Sequence, residues 1–140
     1  LIEIVAKGGN FLLNIGPEPT GEWADEAYAR LEEIGAWMRV NRQAIYGSKP
    51  LSPFKSGRFC FTRGKDSTLY AFYLATEGES APPAELFLPA LTPGQESELT
   101  LLGHGRNLNW RPAEGGIIIE IPETLRAGMP CAYAWTFAIH

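Results

Sequence analysis

The sequence predicts an α+β chain in two parts. A helix–strand–helix passage typical of a barrel or doubly wound unit comes first, and an antiparallel β-sandwich follows. Three observations predict this. Lys7-Gly8-Gly9 closes a short apolar helix and leads into one apolar run, residues 11–15, which Gly16-Pro17 stops. A helical pattern then occupies residues 23–41. From Pro50 onward the pattern changes to short strands separated by turn residues.

The elements of the first part can be justified in order. Leu1, Ile2, Ile4 and Val5 make an apolar stripe at helical spacing. Gly8 stands where a helix C-terminus needs a left-handed residue, and Gly9 permits a sharp turn. Residues 11–15 are apolar apart from Asn14, as in a strand buried on both faces of a parallel sheet. The same run also suits a short buried strand of a small antiparallel domain, and periodicity does not separate the two. Pro17 cannot donate to a ladder and ends the run. A single strand of this kind lacks a partner here. The expectation is therefore that the chain begins inside a larger domain, with the chemistry upstream of Leu1. Pro19-Thr20-Gly21 is a turn. In the helix that follows, Ala27, Leu31, Ile34 and Met38 share one face, with Tyr28, Gly35 and Trp37 beside it. Its acids cluster early and Arg39 and Arg42 come last, as the helix dipole favours.

In the second part, residues 48–53 read as a linker. Residues 58–62 and 68–75 are strands joined by a turn at 63–66, and residues 77–83 are a polar loop. Residues 85–88 and 97–102 are strands separated by Thr92-Pro93-Gly94. Gly103-His104-Gly105-Arg106 is a turn, 107–111 an edge-like strand, and 116–121 and 131–139 are longer strands. About seven short strands with regular turn signals predict a sandwich. In the last strand Tyr133, Trp135, Phe137 and Ile139 alternate with Ala132, Ala134, Thr136 and Ala138. The large set should face the core and the small set the other side.

Composition sets limits on function. The 140 residues are 45% hydrophobic and 20% charged, with a net charge of −4, an ordinary globular balance. No basic run appears, which disfavours nucleic acid and anionic membranes as partners. No apolar run approaches the roughly 18 residues of a membrane helix. Cys60 and Cys131 read first as free buried thiols, with a disulfide between them as the alternative. No Cys/His spacing suits a metal, and no cofactor motif is present. His104 reads as a turn residue, and neither it nor His140 has a nucleophile near it in sequence.

One ordered set of residues carries a family resemblance. Lys-Gly-Gly-Asn-Phe-Leu-Leu-Asn-Ile-Gly-Pro at 7–17 is followed by Gly21, by Leu31, Ile34, Gly35 and Trp37, and by Asn41 with Ala44-Ile45-Tyr46-Gly47. This series resembles the α-L-fucosidases of glycoside hydrolase family 29. The resemblance is strong over residues 1–49 and softer to the end, where Ala134-Trp135-Thr136 resembles the closing strand. Arg42 and Gln43 depart from the expected Gly and Glu, and Ala6 from the usual Ser.

The resemblance implies an α+β fragment: the terminal βα unit of a (β/α)8-like barrel (residues 1–49), then an antiparallel β-sandwich (residues 50–140). It implies a retaining exo-α-L-fucosidase with an Asp nucleophile and a Glu acid/base, both upstream of Leu1. Such carboxyls stand about 5–5.5 Å apart in retaining enzymes. No match for either motif occurs here, so this segment alone is expected to be inactive, with no catalytic residue of its own. Glu18 is the one carboxylate near the C-terminal end of the expected barrel strand, where barrel sites form. Phe11 is the best substrate-binding candidate, an apolar wall for the fucose methyl, with barrel filling as its alternative. Asn14 is the second, because a polar residue within an apolar strand needs a hydrogen-bond partner. The implied partners are a fucosylated oligosaccharide or glycoprotein glycan and the upstream barrel in cis. A second copy of the chain, a homo-oligomer, is another partner that could cover the apolar run at 11–15. A secreted, periplasmic or lysosomal location also follows from the resemblance. The alternative function is a non-catalytic carbohydrate-binding or structural sandwich, which exposed aromatics such as Trp110 and Tyr73 would favour.

Overall fold

The computed structural model describes residues 1–91, 94 and 97–140. Two helices come first, α1 (Ile2–Ala6) and α2 (Asp25–Ile45). The strands are β1 (Lys49–Ser56), β2 (Phe59–Arg63), β3 (Leu69–Leu74), β4 (Glu85–Pro89), β5 (Leu99–Leu101), β6 (Trp110–Ala113), β7 (Gly116–Glu120) and β8 (Ala134–Ile139). A short helix, α3 (Glu123–Arg126), precedes β8. Among the described residues the strands form two antiparallel sheets, ordered β1-β2-β3-β8-β5 and β4-β7-β6.

Alternation along the strands builds two cores, one on each face of the larger sheet. Between the sheets lie Phe59 and Phe61 of β2, Trp135 and Phe137 of β8, Leu86 and Leu88 of β4, and Ile117 and Ile119 of β7. Burying side chains of this size contributes about 1.5–3 kcal/mol each. The other face carries Cys60, Tyr70, Phe72, Ala134 and Ala138, packed against Ala6 of α1 and Trp37, Ala44 and Ile45 of α2. The expected alternation holds from Ala134 to Ile139, where Ala134, Thr136 and Ala138 are buried too, because the helices cover that face; Ala132 is exposed and precedes the strand. Tyr133 departs from that pattern. Its φ of 69° takes it out of the strand, which begins one residue later, and its side chain is largely exposed.

Two polar contacts fix α2 on the sheet. Trp37 Nε1 donates to the carbonyl of Ala134 at 2.9 Å, and Thr62 Oγ1 donates to the carbonyl of Ala44 at 2.9 Å. The helix begins two residues later than expected and ends four residues later, because Ala44 and Ile45 are core residues. Ser48 Oγ then donates to the free carbonyl of Ile45 at 2.9 Å.

Two expectations are corrected. Most of the segment read as a linker is strand β1, paired with β2 across a register shift between Pro50 and Lys55. Prolines do not prevent this on an edge strand, whose outer side makes no ladder. Conversely, residues 11–15 form no strand. A lone extended segment gains no ladder bonds, and both sheets here are completed by other strands. The turn read at Thr92-Pro93-Gly94 lies outside the described residues except for Gly94.

The indole bond of Trp37 joins two elements that are far apart in sequence. Trp37→Phe keeps an aromatic side chain but loses the indole N–H and part of the buried volume, so chemical denaturation should show a loss of about 1–3 kcal/mol.

Candidate functional site

The candidate substrate residues lie on a segment whose exit is set by α1. Gly8 N–H donates to the carbonyl of Val5 at 2.8 Å and Gly9 N–H to that of Ile4 at 2.9 Å. This paired capping motif requires a left-handed residue, and Gly8 has φ 84°. A Cβ at Gly8 would also meet Pro50 Cγ at 2.8 Å. Lys55 Nζ binds Glu3 Oε1 at 2.7 Å, and Lys7 Nζ sits 5.3 Å from the centre of the Phe54 ring. Helix α1 is thereby held on β1, and the chain leaves it at a fixed angle.

Beyond that cap the apolar run is open to solvent. Phe11 is 40% exposed and Leu12 81%. Phe11 lines a cleft of about 400 Å³ with Asn10, Tyr46, Gly47 and Pro50. Asn14 is exposed, so its amide is not the buried polar group that the sequence suggested. Glu18 is also exposed and closes a tight turn, its N–H donating to the carbonyl of Glu22 at 2.7 Å and its carbonyl accepting from Gly21 N–H at 2.8 Å. Trp23 and Tyr28 follow at the start of α2 as an exposed aromatic pair, ring centres 5.5 Å apart.

The most developed polar cluster is one that sequence reasoning missed. Arg58 donates from Nε and Nη2 to the carbonyl of Leu74 at 3.0 and 2.7 Å, pairs with Glu79, and stacks 4.3 Å from the centre of the Tyr73 ring. Glu79 also accepts from Tyr73 OH at 3.1 Å and from Thr76 N–H at 2.9 Å. Burial pushes the Glu79 carboxyl up, but Arg58, Thr76 and Tyr73 outweigh it and hold the pKa below its ordinary value. Arg58 and Glu79 are 21 positions apart, so no local pattern announced the pair.

These features describe structural rather than catalytic chemistry. Among the described residues the carboxyls displaced from their ordinary range, Glu3, Asp66 and Glu79, all move down. A general acid needs the opposite displacement. Among the described residues no cluster of His, Cys, Asp and Glu could hold a metal. Cys60 and Cys131 are both free thiols. Burial pushes both up, which makes them poor nucleophiles. Tyr73 is buried beneath Arg58, so of the two aromatics considered for sugar binding only Trp110 reaches the surface.

Comparison with known proteins gives consecutive matches. Residues 1–43 match the family model described as alpha-L-fucosidase, and residues 55–140 match that of the alpha-L-fucosidase C-terminal domain. The chain is 35% identical over 148 residues to human plasma alpha-L-fucosidase, covering 99% of this chain and 30% of the relative. It is 32% identical over 143 residues to mouse tissue alpha-L-fucosidase, again covering 99% of this chain and 30% of the relative. The structure of alpha-L-fucosidase isoenzyme 1 from Paenibacillus thiaminolyticus superposes with a TM-score of 0.75 at 29% identity, over 99% of this chain and 32% of that one. The Thermotoga maritima alpha-fucosidase in complex with fucose shares the fold, with a TM-score of 0.81 at 23% identity, over 99% of this chain and 32% of that one. The chain thus spans about a third of the length of the proteins it matches.

The Glu79 cluster has a pH signature. With its folded pKa below the unfolded one, its stabilisation is present at neutral pH and is lost as pH falls through the folded value. Glu79→Gln should cost about 1–2 kcal/mol at neutral pH, allowing for solvent screening at the partly exposed Arg58. Thermal melts across the acid range should show wild type and variant converging as pH is lowered.

Proposed function

The chain belongs to the α-L-fucosidase family, and from that we infer that it is the C-terminal portion of a retaining exo-α-L-fucosidase. The observation that carries this reading is the succession of two family matches, one over residues 1–43 and one over residues 55–140. Residues 1–49 are proposed to complete a (β/α)8-like catalytic barrel, and residues 50–140 to form the β-sandwich that caps it. The substrate is a terminal α-L-fucosyl linkage of an oligosaccharide or glycoprotein glycan. The Thermotoga maritima relative in complex with fucose supports that ligand class.

In this reading the nucleophile and the acid/base reside in the part of the enzyme upstream of Leu1. A carboxylate attacks the anomeric carbon while a second carboxyl protonates the leaving oxygen, and water then releases fucose with the second group acting as base. What this chain contributes is binding. Residues 11–15 pair with barrel strands as a buried strand, which supplies the ladder bonds they lack in isolation. Phe11 then presents an apolar wall to the methyl group of the 6-deoxy sugar, and Asn14 hydrogen-bonds to substrate or to a neighbouring loop. The half-buried residues Ala27 and Leu31 of α2 pack against the same barrel, while Met38 packs on the helix–sheet core. The 140-residue chain alone is inactive because it lacks the carboxylate pair.

Phe11→Ala in the full-length enzyme tests the assignment. A contact with the fucose methyl is worth about 1–3 kcal/mol, or roughly 10–200-fold in kcat/KM. Fucoside turnover should fall by an amount in that range while the melting temperature changes little. Unchanged kinetics, or equal losses of activity and stability, would assign Phe11 to barrel packing instead.

A further inference from the structure

On the small sheet, far in sequence from the candidate residues above, one surface groove combines an aromatic plane with exposed polar side chains. Strand β6 forms the edge of this sheet and begins with Trp110. One side of Trp110 packs on the core between the sheets, and the half-buried ring also lines a groove of about 720 Å³ with Leu108, Asn109, Pro112 and Glu120. The indole N–H donates to the carbonyl of Ser97 at 3.2 Å, which fixes the ring and uses its polar atom. What remains for a ligand is the apolar face. Glu120 N–H donates to the carbonyl of Asn109 at 2.9 Å, which holds those two residues side by side. Asn109 and Glu120 are both exposed, and among the described residues neither side chain has a hydrogen-bond or ion-pair partner. The nearby Arg111 is paired with Glu85 at 3.0 Å.

We propose that this groove binds a neutral oligosaccharide. A pyranose has an apolar C–H face, which suits a fixed indole plane, and a rim of hydroxyls that both donate and accept. The Asn109 amide offers two donors and an acceptor, and the Glu120 carboxylate accepts. An apolar wall with a few convergent polar groups is the usual make-up of a small-ligand site. The Glu120 charge disfavours acidic sugars, so selection is for neutral glycans. The site rests on the sandwich alone, and its failure would leave the fucosidase inference untouched.

The test is amide and indole NMR of the 140-residue chain titrated with fucosyllactose and, separately, with sialyllactose. The site predicts saturable shifts at the Trp110 indole N–H and at the Asn109 and Glu120 amides, with millimolar affinity for fucosyllactose and weaker binding of sialyllactose. Trp110→Ala should abolish the shifts, and Asn109→Ala should weaken binding several-fold. Glu120→Gln should narrow the preference for the neutral sugar. Asn109→Ala decides the matter if Trp110→Ala does not fold. Absence of saturable shifts, shifts confined to another surface, or affinity unchanged by Asn109→Ala would overturn the proposal. So would an extended peptide binding along β6 where the sugar does not.

Discussion

Strand β8 is buried on both faces, and the layering of the chain depends on how its side chains alternate. Trp135, Phe137 and Ile139 fill the space between the two sheets, where large rings and branched chains are needed. Ala134 and Ala138 point the other way, and their small size lets the helices approach. The approach is close enough for Trp37 to reach the backbone of Ala134. A large residue at either alanine would lift α2 from the sheet; a small residue at Trp135 or Phe137 would leave a void between the sheets. The strand is also flanked on both edges, by β3 and β5, so it has no solvent-facing side.

Because β8 supports both cores, the helical start and the sandwich are one packed body at the helix–sheet contact. One contiguous run of apolar residues not absorbed by that body is Phe11-Leu12-Leu13, and Trp23, Tyr28 and Ile34 at and near the start of α2 are exposed as well. Exposed apolar surface of this kind marks an interaction site. The capping glycines of α1 end the helix and leave the run largely exposed. This is the arrangement expected of a segment whose partners lie in another part of a larger enzyme.

Much of this was legible in the sequence, for physical reasons. The strands of the sandwich announce themselves because they are short, rich in aromatic and branched residues and bounded by turn residues, and the large–small alternation of β8 was visible directly. The Gly8-Gly9 cap was legible because only a glycine accepts that conformation at little cost. The misreadings came from tertiary effects. Pro50 and Pro53 looked like a linker, yet an edge strand tolerates both. Residues 11–15 have the composition of a buried strand, but composition cannot supply the neighbouring strand a ladder needs. Tyr133 fitted the alternation by number and was displaced by its backbone conformation. The Arg58–Glu79 pair joins a strand start to a loop and leaves no local trace. Of the candidate residues, Phe11 was proposed through family resemblance, since an apolar run carries no chemistry of its own, and Asn14 because a polar residue within that run needs a partner.

The most direct measurement is anomeric NMR of fucosyl fluoride hydrolysis, with the full-length enzyme and the 140-residue chain side by side. The expected result is that the full-length enzyme releases fucose with the α-configuration retained and that the 140-residue chain is inert. Inversion would contradict the retaining mechanism. Hydrolysis by the 140-residue chain, or none by the full-length protein, would contradict the placement of the catalytic carboxylates upstream of Leu1.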